Sequence, residues 1–178
     1  HPVTDITWHE AAAYAAFRDK QLPSVFQWEK AARNGLFIYN SGYALPWGAM
    51  EFGGTVVGHA NFHSSGTVPV NSFPFGASPF GCYQMAGNVS EWCANEVTDG
   101  FTVAGGSWKD LFYVFTDIGA FPGFHNSDRI GFRCVLNTPG AKSDQGSSKI
   151  DTASQIPIYT PTSDANFQSM LSHYRYDH

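Results

Sequence analysis

Between Leu36 and Leu136 glycine and proline recur every few residues, and no apolar helical period survives beyond one turn. Those residues punctuate chains rather than extend regular elements, so this stretch predicts loops joined by short strands, with candidates at Val68–Phe73, Thr102–Trp108 and Gly131–Val135. A loop-rich domain must still pair its backbone amides and carbonyls. Side chains, ordered water or bound ions are therefore expected to supply partners that ladders do not. Aromatic residues make up 16% of the 178 residues and charged residues only 14%, against a usual quarter or so. This balance predicts an aromatic core under a polar, weakly charged surface.

Helix signals are confined to the first third. Thr7 stands three residues before Glu10, a reciprocal capping pair, and an alanine-rich run from Ala11 to Ala16 follows with Tyr14 and Phe17 on the apolar side. Ser24 and Gln27 repeat the arrangement after Pro23. Val25, Trp28, Ala31 and Ala32 then form a buried stripe, with Gly35 as the expected stop. Beyond Leu136 the composition turns to Asn, Thr, Pro, Gly, Ser, Asp and Lys, which predicts a linker over 137–155. In 156–178, Phe167, Met170, Leu171 and Tyr174 fall at helical spacing, as in a tail that docks back or opens a further module.

The formal net charge is −5 and no Lys/Arg cluster occurs, so nucleic acid is a poor expected partner. No apolar run approaches the roughly 20 residues of a spanning helix, so membrane insertion is not expected. Cys82, Cys93 and Cys134 match no zinc spacing and are expected to be ordinary thiols or one incidental bridge.

The densest constellation is Met85-Ala86-Gly87-Asn88-Val89-Ser90-Glu91-Trp92. Gly and Asn tolerate positive φ, so adjacent carbonyls can converge while Glu91 returns a carboxylate. Such hard oxygen donors suit calcium. The same string is also compatible with a plain turn and a capped helix start. His59 and His63 have the four-residue spacing of a metal pair, but the intervening Ala60-Asn61-Phe62 reads as loop, which favours ordinary histidines.

A set of strings in one order carries a resemblance: Leu22-Pro23-Ser24-Val25-Phe26-Gln27-Trp28-Glu29-Lys30-Ala31-Ala32-Arg33, Leu45-Pro46-Trp47-Gly48, Ala60-Asn61-Phe62, Gly81 through Trp92, Gly105-Gly106-Ser107-Trp108 and Gly131-Phe132-Arg133. Residues 1–136 thereby resemble the formylglycine-generating enzyme, or sulfatase-modifying factor, family. The resemblance implies an α+β, C-type-lectin-like fold, loop-rich, with short antiparallel strands, two short helices and calcium as an organiser. It also implies that strands normally precede the point where this chain starts.

For calcium, the resemblance implies ligands from Gly87, Asn88, Val89 and Glu91. It implies a second site at Asn61 and Phe62 with an acidic residue in the next loop, yet His63-Ser64-Ser65-Gly66 holds no carboxylate. The oxidases of the family bind copper through two cysteines past the Gly-Gly-Ser-Trp string. Asp110 and Phe115 occupy those positions here, so copper oxidation by that route is not expected. Ser107, Trp108, Asp110, Phe112, Tyr113 and Phe115 become candidate ligand-facing residues for a peptide or small polar molecule.

The tail and the Gly106–Phe115 stretch further resemble members fused to bacterial serine/threonine kinases, in which a hydrolase-like domain can follow. No kinase motif occurs in this chain. The leading expectation is a non-catalytic, calcium-stabilised sensing module with kinase or hydrolase-like neighbours. The alternatives are a cysteine-free oxidoreductase using another metal or cofactor through His59, His63 or His125, and a spacer between domains.

Overall fold

The computed structural model describes residues 1–34, 44–48, 56 and 58–137. The expected stop at Gly35, the linker beyond Asn137 and the C-terminal helix lie outside these residues.

Both capping pairs form. In α1 (Trp8–Phe17) the Glu10 amide donates to Thr7 Oγ1 at 3.2 Å and the Thr7 amide to Glu10 Oε2 at 2.8 Å. In α2 (Val25–Arg33) the Gln27 amide donates to Ser24 Oγ at 3.2 Å and the Ser24 amide to Gln27 Oε1 at 2.9 Å. A third amide at that helix start, Val25 N–H, donates to Asn95 Oδ1 at 2.7 Å, so a strand side chain completes the cap. The helix ends on Asn34 at φ +68°, one of the few non-glycine residues that accepts this conformation at small cost.

The apolar side of α1 is not the one its large residues mark. Tyr14 and Phe17 are exposed, while Ala11 and Ala15 are fully buried against Trp92, Val103 and Ile130. Small side chains let the helix axis lie close to the sheet, and the aromatic pair is left outside. In α2 the expected stripe holds, with Val25, Trp28 and Ala32 buried and Ala31 packed at their edge.

Four strands form one mixed sheet in the order β3-β2-β1-β4. The central strand β1 (Ser90–Val97) pairs antiparallel with β2 (Gly100–Ala104), which pairs antiparallel with β3 (Gly119–Phe121). On its other side β1 runs parallel to β4 (Ile130–Phe132), so one of the three ladders departs from the antiparallel expectation. The expected strand 102–108 stops at Ala104 because Gly105 and Gly106 take φ +97° and +68°. The one at 131–135 shortens to β4 plus a bridge from Val135 to Gln21. Val68–Phe73 forms no strand and leads instead into a 3-10 turn at Pro74–Gly76.

Successive residues of a strand face opposite ways. Trp92 therefore joins the α1 core while Cys93 joins a second core with Trp28, Leu45, Met85 and Phe115 under α2. The sheet is covered on both faces, which hides the period of two that would have marked β1 in the sequence. The N-terminal segment is tied down by two indole donors, Trp8 Nε1 to Cys93 O at 2.8 Å and Trp92 Nε1 to Ile6 O at 3.2 Å. Among the described residues no helix is long and apolar enough to cross a membrane.

The Thr7 amide and hydroxyl together hold the Glu10 carboxyl below its ordinary range. In Thr7→Ala the hydroxyl contribution vanishes, and NMR titration of the Glu10 side chain is expected to give a higher pKa than in the parent chain. The cap's contribution to stability is present above the ordinary glutamate range and fades as acid protonates Glu10.

Candidate functional site

Gly87 and Asn88 take φ +73° and +66° in succession, turning the chain sharply before β1. A Cβ on Gly87 would lie 2.5 Å from Asn61 O, so glycine is required for contact as well as for conformation. The turn gathers three segments. Gly87 N–H donates to Gly105 O at 2.9 Å, Asn88 N–H to Asn61 O at 2.9 Å, and Trp108 N–H to Asn88 O at 3.0 Å. The buried Asn88 amide adds a further clasp, with Oδ1 accepting from Asn61 Nδ2 at 3.1 Å and Val68 N–H at 2.9 Å while Nδ2 donates to Val68 O at 3.2 Å.

This bonding bears on the candidate metal ligands. Both lone pairs of Asn88 Oδ1 are engaged and its carbonyl accepts from Trp108, so Asn88 serves as a structural hub. Asn61 donates its amide to Gly66 O at 2.9 Å as well as to Asn88, and its carbonyl is engaged by Asn88. The following loop, residues 63–66, offers no carboxylate beside Asn61 and Phe62.

Glu91 is buried and densely bonded. Its Oε2 accepts from Trp28 Nε1 at 2.7 Å and Arg133 Nε at 2.5 Å, and its Oε1 accepts from an Arg133 terminal nitrogen at 2.7 Å. That nitrogen also donates to Tyr83 O at 3.1 Å and Gln84 O at 3.3 Å. Burial works against the Arg133 cation, but the Glu91 charge and the hydrogen bonds to it prevail and hold the guanidinium above its ordinary range. One lone pair of Glu91 Oε1 remains free of these bonds.

Gln84, held at φ +52° beside this pair, donates Nε2 to Ser72 O at 2.7 Å, whereas its Oε1 is buried with no hydrogen-bond partner. A buried acceptor left open in a polar corner is an unmet demand for a donor or a cation. Sequence reasoning passed over this residue, although it lies three positions before Gly87 inside the quoted motif.

A separate cleft opens where residues of all four strands meet the loops after β2 and β3, a cavity of about 180 Å³. Val103, Phe121 and Ile130 give it an apolar floor, and Asp110, Asp117, His125 and Arg129 give it a charged rim. Asp110 is set by a tight local loop, its Oδ2 accepting from Ser107 N–H at 2.8 Å and Ser107 Oγ at 2.6 Å. Its Oδ1 lies 3.9 Å from Arg129 across the cleft. His125 stacks on Phe121 with centroids 4.6 Å apart.

The candidate ligand-facing residues thus separate. Ser107 and Asp110 reach the cleft. Phe115 does not, because it is fully buried against Trp28 with Arg33 over its ring at 5.2 Å. Phe112 packs at the edge of the same core, Tyr113 points outward at 57% exposure, and Trp108 donates to Asp128 O at 3.4 Å. His63 is exposed and His59 packs at a tilt against Trp47, while His125 alone of the three lines the cleft. Among the described residues no three His, Cys, Asp or Glu side chains gather as a metal cluster. All three cysteines are free, and burial pushes the Cys93 thiol far up, with the Glu91 and Glu29 charges adding to it.

The chain is thus an α+β domain with helices on both faces of a small mixed sheet, a glycine-asparagine clasp and a cleft beyond Gly105-Gly106. The sulfatase-modifying factor enzyme 1-like domain matches residues 1–138, and the chain belongs to that family. It is 35% identical over 157 residues to inactive C-alpha-formylglycine-generating enzyme 2 of Bos taurus, covering 75% of this chain and 50% of that protein. It is 41% identical over 95 residues to serine/threonine-protein kinase pkn1 of Chlamydia caviae, covering 52% of this chain and 13% of the kinase. The chain thus spans half or less of these relatives. Of solved structures, CarF superposes with a TM-score of 0.61 at 25% identity, over 78% of this chain and 68% of CarF. PvdO from Pseudomonas aeruginosa shares the fold with a TM-score of 0.64 at 24% identity, over 76% of this chain and 62% of that one.

Two outcomes follow from this geometry. Arg133→Met strips the counter-charge from Glu91 and is expected to destabilise the domain by about 2 kcal/mol in urea unfolding, a value discounted for the partial exposure of the arginine. Native Cys93 is expected to resist iodoacetamide at pH 8, with its modification appearing only as the chain unfolds, checked by mass spectrometry across a urea series.

Proposed function

We propose that this chain is a non-catalytic, ligand-binding or sensing module of a multidomain protein, and that its ligand is a peptide or small polar molecule received by the Asp110–Arg129 cleft. One observation carries the reading. At the two positions where oxidases of the resembled family hold copper thiolates, this chain has a carboxylate closed onto Ser107 and a phenylalanine fully buried in the core. Neither side chain is a soft ligand for Cu(I). The cleft itself persists, with apolar floor and mixed-charge rim, as a recognition site of modest size. Likeness to a relative named inactive supports the absence of oxidation, and likeness to a kinase supports a kinase neighbour.

Calcium belongs to the same proposal, at one site. The free lone pair of Glu91 Oε1 and the carbonyls of Gly87 and Val89 would hold it. When bound, the ion supplies charge and coordination that pin the entry to β1. Asn88 is omitted because its oxygens are engaged, and Asn61 and Phe62 because no acid accompanies them. Only one carboxylate serves, shared with a guanidinium, so affinity falls at the weak end, about 10⁻⁴–10⁻³ M.

Melting in millimolar calcium, magnesium or chelator tests the calcium reading. A rise specific to calcium and absent in Glu91→Gln is expected; equal curves would reject it. Plasma mass spectrometry of the purified chain is expected to find neither copper nor iron at stoichiometry, and either metal at one per chain would favour an enzyme. In a tetrapeptide-library binding assay, Asp117→Asn or Arg129→Ala is expected to weaken captured peptides about tenfold, close to 1.4 kcal/mol, while Tyr113→Ala leaves them unchanged.

A further inference from the structure

A second concavity lies away from the cleft, on the outer side of α2. It is an open groove of about 490 Å³ walled by Phe26, Lys30, Phe80 and Leu136. Phe26, Phe80 and Leu136 are 42%, 55% and 66% exposed, three large apolar side chains on one surface. Lys30 bridges them, its Nζ lying 5.6 Å from the Phe80 ring centre. Contiguous apolar surface of this kind marks an interaction site.

The third wall of the groove is the last described stretch, Val135 to Asn137. It is fastened by the Val135–Gln21 bridge and by a 3.1 Å hydrogen bond from Gln27 Nε2 to Asn137 Oδ1. The chain therefore leaves the described domain within the groove.

Downstream, one segment carries an apolar stripe at helical spacing: Phe167, Met170, Leu171 and Tyr174, in 163–174. We propose that this segment docks into the Phe26–Phe80–Leu136 groove of its own chain, a helix-in-groove contact. A flexible chain of 25 residues, the number between Asn137 and Ser163, has a reach of about 25–30 Å, enough for a return to a groove that begins where that stretch begins. Tethering also gives the segment a local concentration in the millimolar range, well above that of a second copy in dilute solution. A polar segment of the same length would gain nothing from the groove; this one has four large apolar side chains at a spacing that two helical turns would bring to one face.

The test uses the full 178-residue chain with a photoreactive benzophenone amino acid replacing the exposed Phe80. Illumination at low micromolar protein is expected to give crosslinks within one chain to the peptide bearing 163–174. The double variant Met170→Glu, Leu171→Glu is expected to lose them while circular dichroism shows the domain still folded, with a melting temperature equal to or slightly below that of the parent chain. Crosslinks joining two chains would assign the groove to a second copy, and crosslinks confined to residues 1–137 would leave the segment undocked. Either result overturns the proposal. The readout is independent of ligand or calcium binding, so it stands or falls apart from the cleft.

Discussion

The Glu91 carboxylate is the interaction on which the rest depends. It is 5% exposed, and a carboxylate at that depth is tolerable only with its charge matched and its oxygens bonded. Its partners come from far along the chain, Trp28 in α2 and Arg133 just past β4. Satisfying one side chain therefore requires α2 to lie over β1 and the C-terminal stretch to run parallel beside it. The Asn88 amide does the same for the loops, joining the segments at Asn61 and Val68. In a domain with few ladders, two buried polar side chains set the arrangement that longer strands would otherwise impose.

From that frame the cleft follows. Gly105 and Gly106 end β2 in conformations that turn the chain, and Trp108 N–H is caught by the Asn88 carbonyl. The next residues then divide by chemistry: Asp110 is held at the cleft by Ser107, and Phe115 is drawn inward beneath Arg33. A stretch of six residues thus supplies both the rim of a recognition site and the centre of a core.

What could be read in advance was local. The Thr7–Glu10 and Ser24–Gln27 boxes depend on residues three apart, and both were legible. The family was legible because its strings keep their order. Strand β1 was not, since it is covered by a helix on each face and its period of two vanishes into a continuous run around Trp92 and Cys93. Tyr14 and Phe17 misled because α1 meets the sheet through alanines, a choice made by the distance between elements. Phe115 belongs to the core for the same kind of reason, through contact with Trp28. Gln84 escaped because its open oxygen is a property of the fold around it, with no motif of its own.

The parallel strand β4 also sets an order of events during synthesis. Glu91 leaves the ribosome 42 residues before Arg133, about 2–8 s at ordinary elongation rates. During that interval the nascent domain can assemble α1, α2 and the β1–β2 hairpin, but the acid at its centre has no cation and the edge of β1 is open. Closure around Glu91 waits for β4 and Arg133, which bring both. A pause or truncation upstream of Arg133 would hold the chain in that open-edged state, where pairing with a neighbouring chain competes with folding.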